Sequence, residues 1–91
     1  RPISEYDSDL GKGWCIPTEV TLKKTKTGKP YYMVKVIDSN MEEKRVNCWG
    51  VDPKKDFLYV NRLYVLEWPQ YNETWGFSTR GGISRNWKLL G

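Results

Sequence analysis

Four lysines lie within seven positions of one short segment of the chain, and two tyrosines follow them after a single proline. The segment is TLKKTKTGKPYYMVKV, residues 21–36, and its clustered cations are Lys23, Lys24, Lys26 and Lys29. Ammonium groups attract phosphate oxygens, and aromatic rings offer flat surfaces on which unpaired bases stack. The combination is typical of a site for a polyanion, but a lysine-rich hairpin loop is also common as an ordinary solvated turn. The segment alone is compatible with both interpretations.

Residues for other kinds of chemistry are scarce in the sequence. There is no histidine, which removes the commonest general base and zinc ligand. Cys15 and Cys48 do not have zinc-finger spacing, and neither a glycine-rich phosphate loop nor a nucleophile elbow occurs. We therefore predict no catalytic activity for this fragment, no cofactor and no metal. The two cysteines favour free thiols in a reducing cytosol, with a disulfide as the alternative.

Length and charge limit the remaining possibilities. The 91 residues fit one domain, and the excess of 15 Lys and Arg over 11 Asp and Glu gives a net charge of +4. Positive charge gathers in the lysine segment and again at Arg80, Arg85 and Lys88, which favours an anionic partner. No apolar run approaches the roughly 20 residues of a membrane helix, so we expect a soluble domain with no membrane partner.

The first residue is Arg1, and the opening segment SEYDSD is acidic. We interpret the sequence as a fragment of a longer protein. In that interpretation residues 1–12 are a linker or the edge of a neighbouring domain, and residues 13–91 are the folded domain, which we expect to be a monomer.

Alternating patterns predict five strands and little helix. The strand candidates are GWCIPTEVTLKK, PYYMVKVID, KRVNCW, RLYVLEW and TWGFSTR. Pro17 predicts an edge or a bulge in the first strand because proline cannot donate to a sheet. Asp52 before Pro53 predicts one or two helical turns between the third and fourth strands. Residues 83–91 are compatible with a short strand or a helical turn. This order suggests a small closed barrel.

The alternation also predicts one outward surface on the second and third strands. Val34 and Val36 face one side of the second strand, and Val46 and Cys48 point inward from the third. The residues between them then face outward, namely Tyr31, Met33, Lys35, Arg45, Asn47 and Trp49. Trp49 is equally compatible with closing the bottom of the barrel. Tyr71 and Trp75, in the segment PQYNETWGF, are predicted at the opposite rim of this surface.

The segment TKTGKPYYMVKVID, followed after a short turn by KRVNCWG, resembles a known family. It is similar to the second and third strands of the oligonucleotide/oligosaccharide-binding (OB) domain near the C-terminus of bacterial and phage DNA polymerase III alpha subunits. Related patterns occur in the anticodon-binding OB domains of class II aminoacyl-tRNA synthetases. The resemblance covers about residues 13–68 and is strongest over residues 25–50.

This resemblance implies an all-β fold, a five-stranded Greek-key OB barrel with one short helix between strands three and four. It also implies a ligand on the face of strands two and three. We predict a module that binds single-stranded DNA, an accessory domain of a replicative polymerase in the bacterial cytoplasm, associated with the nucleoid. Its partners would be the DNA strand and the rest of the parent polypeptide or other replication proteins. RNA, as in anticodon recognition, and a docked partner subunit are the alternatives.

Within this prediction, cations contact phosphates and the other side chains contact bases. The predicted site residues are Lys23, Lys24, Lys26, Lys29, Tyr31, Met33, Lys35, Arg45, Asn47, Trp49 and Trp75.

Overall fold

The fold is known from a computed structural model that describes residues 12–38, 41–67, 69–74 and 76–90. These residues form an all-β structure in which one curled sheet makes a half-barrel. The strands are β1 (Lys12–Lys24), β2 (Pro30–Ile37), β3 (Glu43–Trp49), β4 (Tyr64–Glu67), β5 (Gln70–Asn72), β6 (Gly76–Thr79) and β7 (Trp87–Leu89).

The order of the strands in the sheet is β5-β6-β3-β2-β1-β4-β7. The first three strands form an antiparallel meander, and the chain then returns to place β4 antiparallel to β1. On the other side, β6 lies parallel to β3. β4 and β5 are near opposite ends of this order, yet only residues 68 and 69 separate them in the chain. The sheet must therefore curl strongly for the chain to connect these two strands.

The prediction of five strands is wrong, because the described residues form seven. The segment QYN, which lies outside the predicted strands, is the short strand β5, which pairs with β6 in a tight hairpin. Residues 83–91, which the sequence left open between a strand and a helical turn, contribute β7, which pairs with β4. Both additional strands have only three residues, and pairing with a neighbour stabilises them more than local sequence preference does.

The predicted helix between the third and fourth strands is also absent from the described residues. Asp52 does cap a single turn, in which its Oδ1 accepts from Lys54 N at 3.0 Å and its carbonyl accepts from Asp56 N at 2.7 Å. Beyond this turn, tyrosine hydroxyls pair with backbone groups that a longer helix would use for its own hydrogen bonds. Tyr32 Oη donates to the Asp56 carbonyl at 2.6 Å, and Tyr59 N donates to the hydroxyl of Tyr64 at 2.9 Å.

The core lies inside the curled sheet and is built from alternate residues of each strand. Val34, Val36, Val46 and Cys48 are completely buried, as the alternation in β2 and β3 predicts. Val20 of β1 and Phe77 of β6 extend this cluster. Since these residues fill the inner surface, their neighbours in the same strands must face outward.

The pairing of β1 with β2 shifts register between Pro17 and Glu19, which confirms the predicted irregularity at the proline. The irregularity reverses the alternation of β1. Cys15 and Pro17 are fully buried before it, whereas Thr18 is exposed. Within the described residues, no helix is long and apolar enough to cross a membrane.

Candidate functional site

The outward residues of β2 and β3 form three direct cross-strand pairs. Each pair joins two of the residues predicted from the sequence, in the register Tyr31 with Trp49, Met33 with Asn47, and Lys35 with Arg45. We call these six residues the β2–β3 face. Side chains directly opposite each other in an antiparallel pair lie about 4.5–5.5 Å apart at Cβ. The face is therefore one continuous surface, with an aromatic pair at one end and a cationic pair at the other.

The aromatic end of the face is a contact between two partly exposed rings. The ring centroids of Tyr31 and Trp49 are 4.5 Å apart, with planes inclined by 38°. On the other side of Tyr31, the register of β1 places Lys23 directly opposite. A cation, a phenol ring and an indole ring thus follow one another across three strands.

A groove of about 500 Å³ runs along this end of the face. One wall consists of Tyr31, Asn47 and Trp49, and the other comes from the β5–β6 hairpin and the residue that follows it: Gln70, Tyr71, Asn72, Gly76, Ser78 and Arg80. The parallel pairing of β6 with β3 creates the second wall, since it sets Ser78 beside Asn47. Each wall of the groove thus contains both aromatic and polar side chains.

Tyr71 is the most exposed ring of the groove, with 64% of its surface accessible. Its ring centroid lies 5.0 Å from that of the buried Phe77, which anchors it. The sequence indicated Tyr71 at this rim and Arg80 as part of a basic cluster, but it gave no signal for Gln70 or Ser78. Trp75, the other predicted residue of the rim, lies outside the described residues.

The cationic end of the face includes an acidic neighbour that sequence reasoning missed. Lys35 lies opposite Arg45 on one side and opposite Glu19 on the other. The Lys35 Nζ is 3.6 Å from Glu19 Oε2, and 38% and 55% of the two side chains are exposed. Two cations directly opposite each other repel, and an ion pair this exposed contributes at most about 1 kcal/mol. Glu19 therefore offsets part of the repulsion between Lys35 and Arg45, but an anionic ligand can readily displace it from Lys35.

The lysine loop, residues 25–29, is a compact turn between β1 and β2. Gly28 N donates to the Thr25 carbonyl at 2.9 Å, and Thr25 N donates to the Lys29 carbonyl at 2.9 Å. Gly28 has φ of +83°, a conformation that glycine adopts without strain. The Thr25 hydroxyl accepts from Lys29 N at 3.2 Å and fixes the end of the turn. The loop is thus hydrogen-bonded internally and leaves its lysines in solvent.

All four predicted lysines of this segment are exposed, and none has an ion-pair partner among the described residues. They do not all lie on one surface. Lys23 lies opposite Tyr31 and belongs to the side of the sheet that carries the β2–β3 face. Lys24 lies opposite Pro30 and points to the other side, because successive residues of a strand alternate. Lys26 and Lys29 are at the tip and the end of the turn.

The two cysteines are free and buried inside the sheet. Burial raises the pKa of Cys15 to about 12 and that of Cys48 to about 11. Both thiols therefore stay protonated at neutral pH and are poor nucleophiles. Within the described part of the chain, no group of three or more Asp, Glu, Cys or His side chains could hold a metal ion. The chemistry that this surface offers is stacking, hydrogen bonding and charge.

Comparison of the chain with protein-family models, with curated proteins and with solved structures gives no match.

Proposed function

We propose that this chain is a module that binds single-stranded DNA on the β2–β3 face. The observation that carries the proposal is the register of β2 and β3, which sets an aromatic pair, a Met–Asn pair and a cationic pair side by side on one outward surface. Aromatic rings, a thioether and an amide can contact the bases of a flexible nucleotide strand, and cations can contact its phosphates. If the alternation of β2 and β3 did not match, the same residues would lie on both sides of the sheet.

Each group has a definite task in this proposal. Unpaired bases stack on Tyr31 and Trp49, and each stack contributes roughly 1–3 kcal/mol. Met33 provides an apolar surface beside them, and Asn47 donates to or accepts from a base edge in the groove. Lys35 and Arg45 contact phosphates at the other end of the face, where the strand displaces Glu19 from Lys35.

A single strand fits the groove better than a duplex does. The groove of about 500 Å³ has aromatic walls, and only unpaired bases can turn their flat surfaces towards such walls. Around the groove, Lys23, Lys26 and Lys29 provide positive charge that can contact the phosphate backbone of a strand of any sequence. We therefore expect binding that tolerates many sequences and weakens with salt.

The strand order supports an OB-type fold for this module. The spatial order β4-β1-β2-β3 is that of a Greek key, in which a fourth strand returns by a long connection to lie beside the first. β4 and β5 can be treated as one strand that bends at Pro69, which cannot donate to a sheet. Five strands then remain, with β7 as an addition at the edge. In OB folds, ligands bind on the face of strands two and three.

The proposal extends to the context of the module on the basis of the sequence resemblance described above. We propose that it is an accessory domain of a replicative DNA polymerase, which holds the template strand beside the catalytic region. RNA would use the same stacking surface, and no residue of the face selects for or against a 2′-hydroxyl. Competition between DNA and RNA strands of the same sequence therefore decides between the two ligands.

The test is fluorescence anisotropy of a labelled oligothymidylate, measured with this chain at several salt concentrations. Lys26→Glu/Lys29→Glu is compared with Lys54→Glu/Lys55→Glu, which changes the net charge equally on an exposed turn away from the face. We expect the first variant alone to lose affinity at low salt. It should also reduce the slope of log K against log salt by about 1.4, since each phosphate contact with a single strand contributes about 0.7. Equal effects of both variants would refute a specific role of the lysine loop, and no binding at low salt would favour a domain that docks a protein partner.

A further inference from the structure

A second cluster of positive charge lies at one end of the groove, in the loop between β6 and β7. Arg80 and Arg85 line a separate cavity of about 320 Å³. The other residues of its lining are polar: Gln70, Ser78, Thr79 and Asn86. We call this space the arginine cavity. Its two cations belong to the basic cluster at residues 80–88, which the β2–β3 face does not use.

The loop is built so that Arg85 lies across its backbone. Gly81 has φ of +80°, and a Cβ atom there would be 3.0 Å from Nη1 of Arg85 and 3.3 Å from its Cδ. Any other residue at position 81 would therefore require the arginine to move. Absence of a side chain at Gly81 thus creates the space in which the guanidinium packs.

The end of the loop is fixed to the sheet by a reciprocal pair of hydrogen bonds. Nδ2 of the buried Asn86 donates to the Glu67 carbonyl at 2.8 Å, and Glu67 N donates to the Asn86 carbonyl at 2.8 Å. These bonds hold the chain next to Arg85 against β4. The arginine therefore starts from a defined backbone position, which reduces the entropy lost when a ligand binds.

Among the residues that the structure describes, no ion pair compensates the charge of the arginine cavity. No carboxylate lines it, and neither Arg80 nor Arg85 has an ion-pair partner among the described residues. Two guanidinium groups supply several N–H donors in planar forks, and the amide of Gln70 and the hydroxyl of Ser78 add further donors. Phosphate oxygens match this set, because guanidinium groups bind phosphate through paired hydrogen bonds.

The arginine cavity also continues the groove. Gln70, Ser78 and Arg80 line both spaces. A strand whose bases stack on Tyr31 and Trp49 would thus have a phosphate within reach of Arg80.

We propose that the arginine cavity is a phosphate-binding site, and that it holds a phosphate of the strand in the groove. The second half of this proposal rests on the proposed function, whereas the first half does not. The phosphate is either an internal diester or a terminal monoester, and the experiments below distinguish the two.

The first experiment titrates the chain with inorganic phosphate at constant ionic strength, with chloride as the balancing anion. The Nε–Hε resonances of the arginines are followed by NMR. We expect those of Arg80 and Arg85 to shift in a saturable manner, while that of Arg62, which lies outside both cavities, shifts much less. Equal, non-saturating shifts of all three, or none, would overturn the phosphate site whether or not the chain binds DNA.

The second experiment measures oligothymidylate affinity against salt for Arg80→Gln/Arg85→Gln. The control is Arg62→Gln/Lys54→Gln, which removes the same charge outside both cavities, and circular dichroism checks that both variants fold. We expect the slope of log K against log salt to decrease by about 0.7 in the first variant only, since the arginine cavity holds one phosphate. If a 5′- or 3′-phosphate makes the oligomer bind several-fold more tightly to the unmodified chain, but not to Arg80→Gln/Arg85→Gln, the cavity holds a terminal phosphate. Equal affinity with and without it would identify a diester.

The outcomes separate the two proposals. If the arginine resonances respond to phosphate but the chain binds no oligomer, the phosphate site stands and the proposed function fails. If the chain binds oligomers and Arg80→Gln/Arg85→Gln leaves the slope unchanged, DNA binding stands and the role of this cavity in holding the strand is wrong.

Discussion

Replacement of Trp49 by alanine removes half of the aromatic end of the β2–β3 face. The indole lies directly opposite Tyr31, with ring centroids 4.5 Å apart, and lines the groove. The variant thus removes one stacking surface and exposes to solvent the side of the Tyr31 ring that faced the indole. It leaves every cation of the surface in place.

The size of the effect follows from these contacts. Loss of one stacked base costs roughly 1–3 kcal/mol, so the Kd for oligothymidylate should rise about 5- to 150-fold. The slope of log K against log salt should not change, because an indole ring neutralises no phosphate. Loss of the ring pair should also lower the free energy of unfolding by about 0.5–1.5 kcal/mol. Affinity must therefore be measured where the variant is fully folded.

The assay is anisotropy against salt, together with urea unfolding followed by circular dichroism. Trp14→Ala is the control, since Trp14 is 46% exposed and lies opposite Val65 of β4, outside the groove. Trp49→Phe should recover most of the lost affinity because a phenyl ring also stacks. An equal Kd for Trp49→Ala and Trp14→Ala would refute the role of this ring pair in binding.

Three further outcomes are expected. Glu19→Gln should remove the anion that competes for Lys35, so that oligothymidylate binds a few-fold more tightly in anisotropy, with little change in the salt slope because Lys35 contacts a phosphate in both chains. Burial raises the pKa of Cys15 to about 12 and of Cys48 to about 11, so the folded state keeps protons that the unfolded state loses above its ordinary value of 9.0. Stability in urea should therefore be unaffected by these thiols below pH 9 and fall towards pH 11, by about 1.4 kcal/mol per pH unit for each thiol. Tyr32→Phe should lower the free energy of unfolding in urea by about 1–2 kcal/mol, because a part-buried carbonyl loses its donor.

Each of these outcomes has a matched control. Glu42→Gln makes the same charge change at an exposed ion pair with Lys44, and it should leave affinity unaltered. Cys15→Ala/Cys48→Ala should flatten the loss of stability at high pH, and a loss of the same size in that variant would contradict the assignment to the thiols. Tyr59→Phe should change stability by less than about 0.5 kcal/mol, since that side chain is 47% exposed.

Strict alternation made the β2–β3 face predictable from the sequence. Val34 and Val36 in one strand, and Val46 and Cys48 in the next, define the buried side and therefore also the outward side. Short spacing in the chain between the two strands restricts their register to nearly one choice. The predicted orientation of these strands is confirmed for this reason, whereas binding to this surface stays a prediction.

The alternation of β1 was not predictable in the same way. Pro17 indicated an irregularity, but it did not indicate that the alternation of inward and outward residues would reverse after it. The register shift also brings Glu19 opposite Lys35, a contact between residues of two strands that no local pattern reveals. The acidic partner at the cationic end was missed for that reason.

The missing helix and the extra strands depend on distant contacts. Asp52 caps a turn as its position predicts, but the hydroxyl of Tyr32, from another strand, takes the carbonyl that a second turn would need. Gln70–Asn72 is a strand because β6 lies beside it, although its residues are typical of a turn. Tertiary pairing decided both cases against local preference.

The most direct test of the proposed binding surface is a titration of the isotopically labelled chain with unlabelled oligothymidylate at low salt, followed by NMR. We predict that the amide resonances that shift most belong to Tyr31, Asn47 and Trp49, together with the indole N–H of Trp49. Lys54 and Lys55, on the exposed turn away from this face, should shift little. The largest shifts elsewhere in the sheet, or no shifts at a high excess of oligomer, would contradict binding on the β2–β3 face.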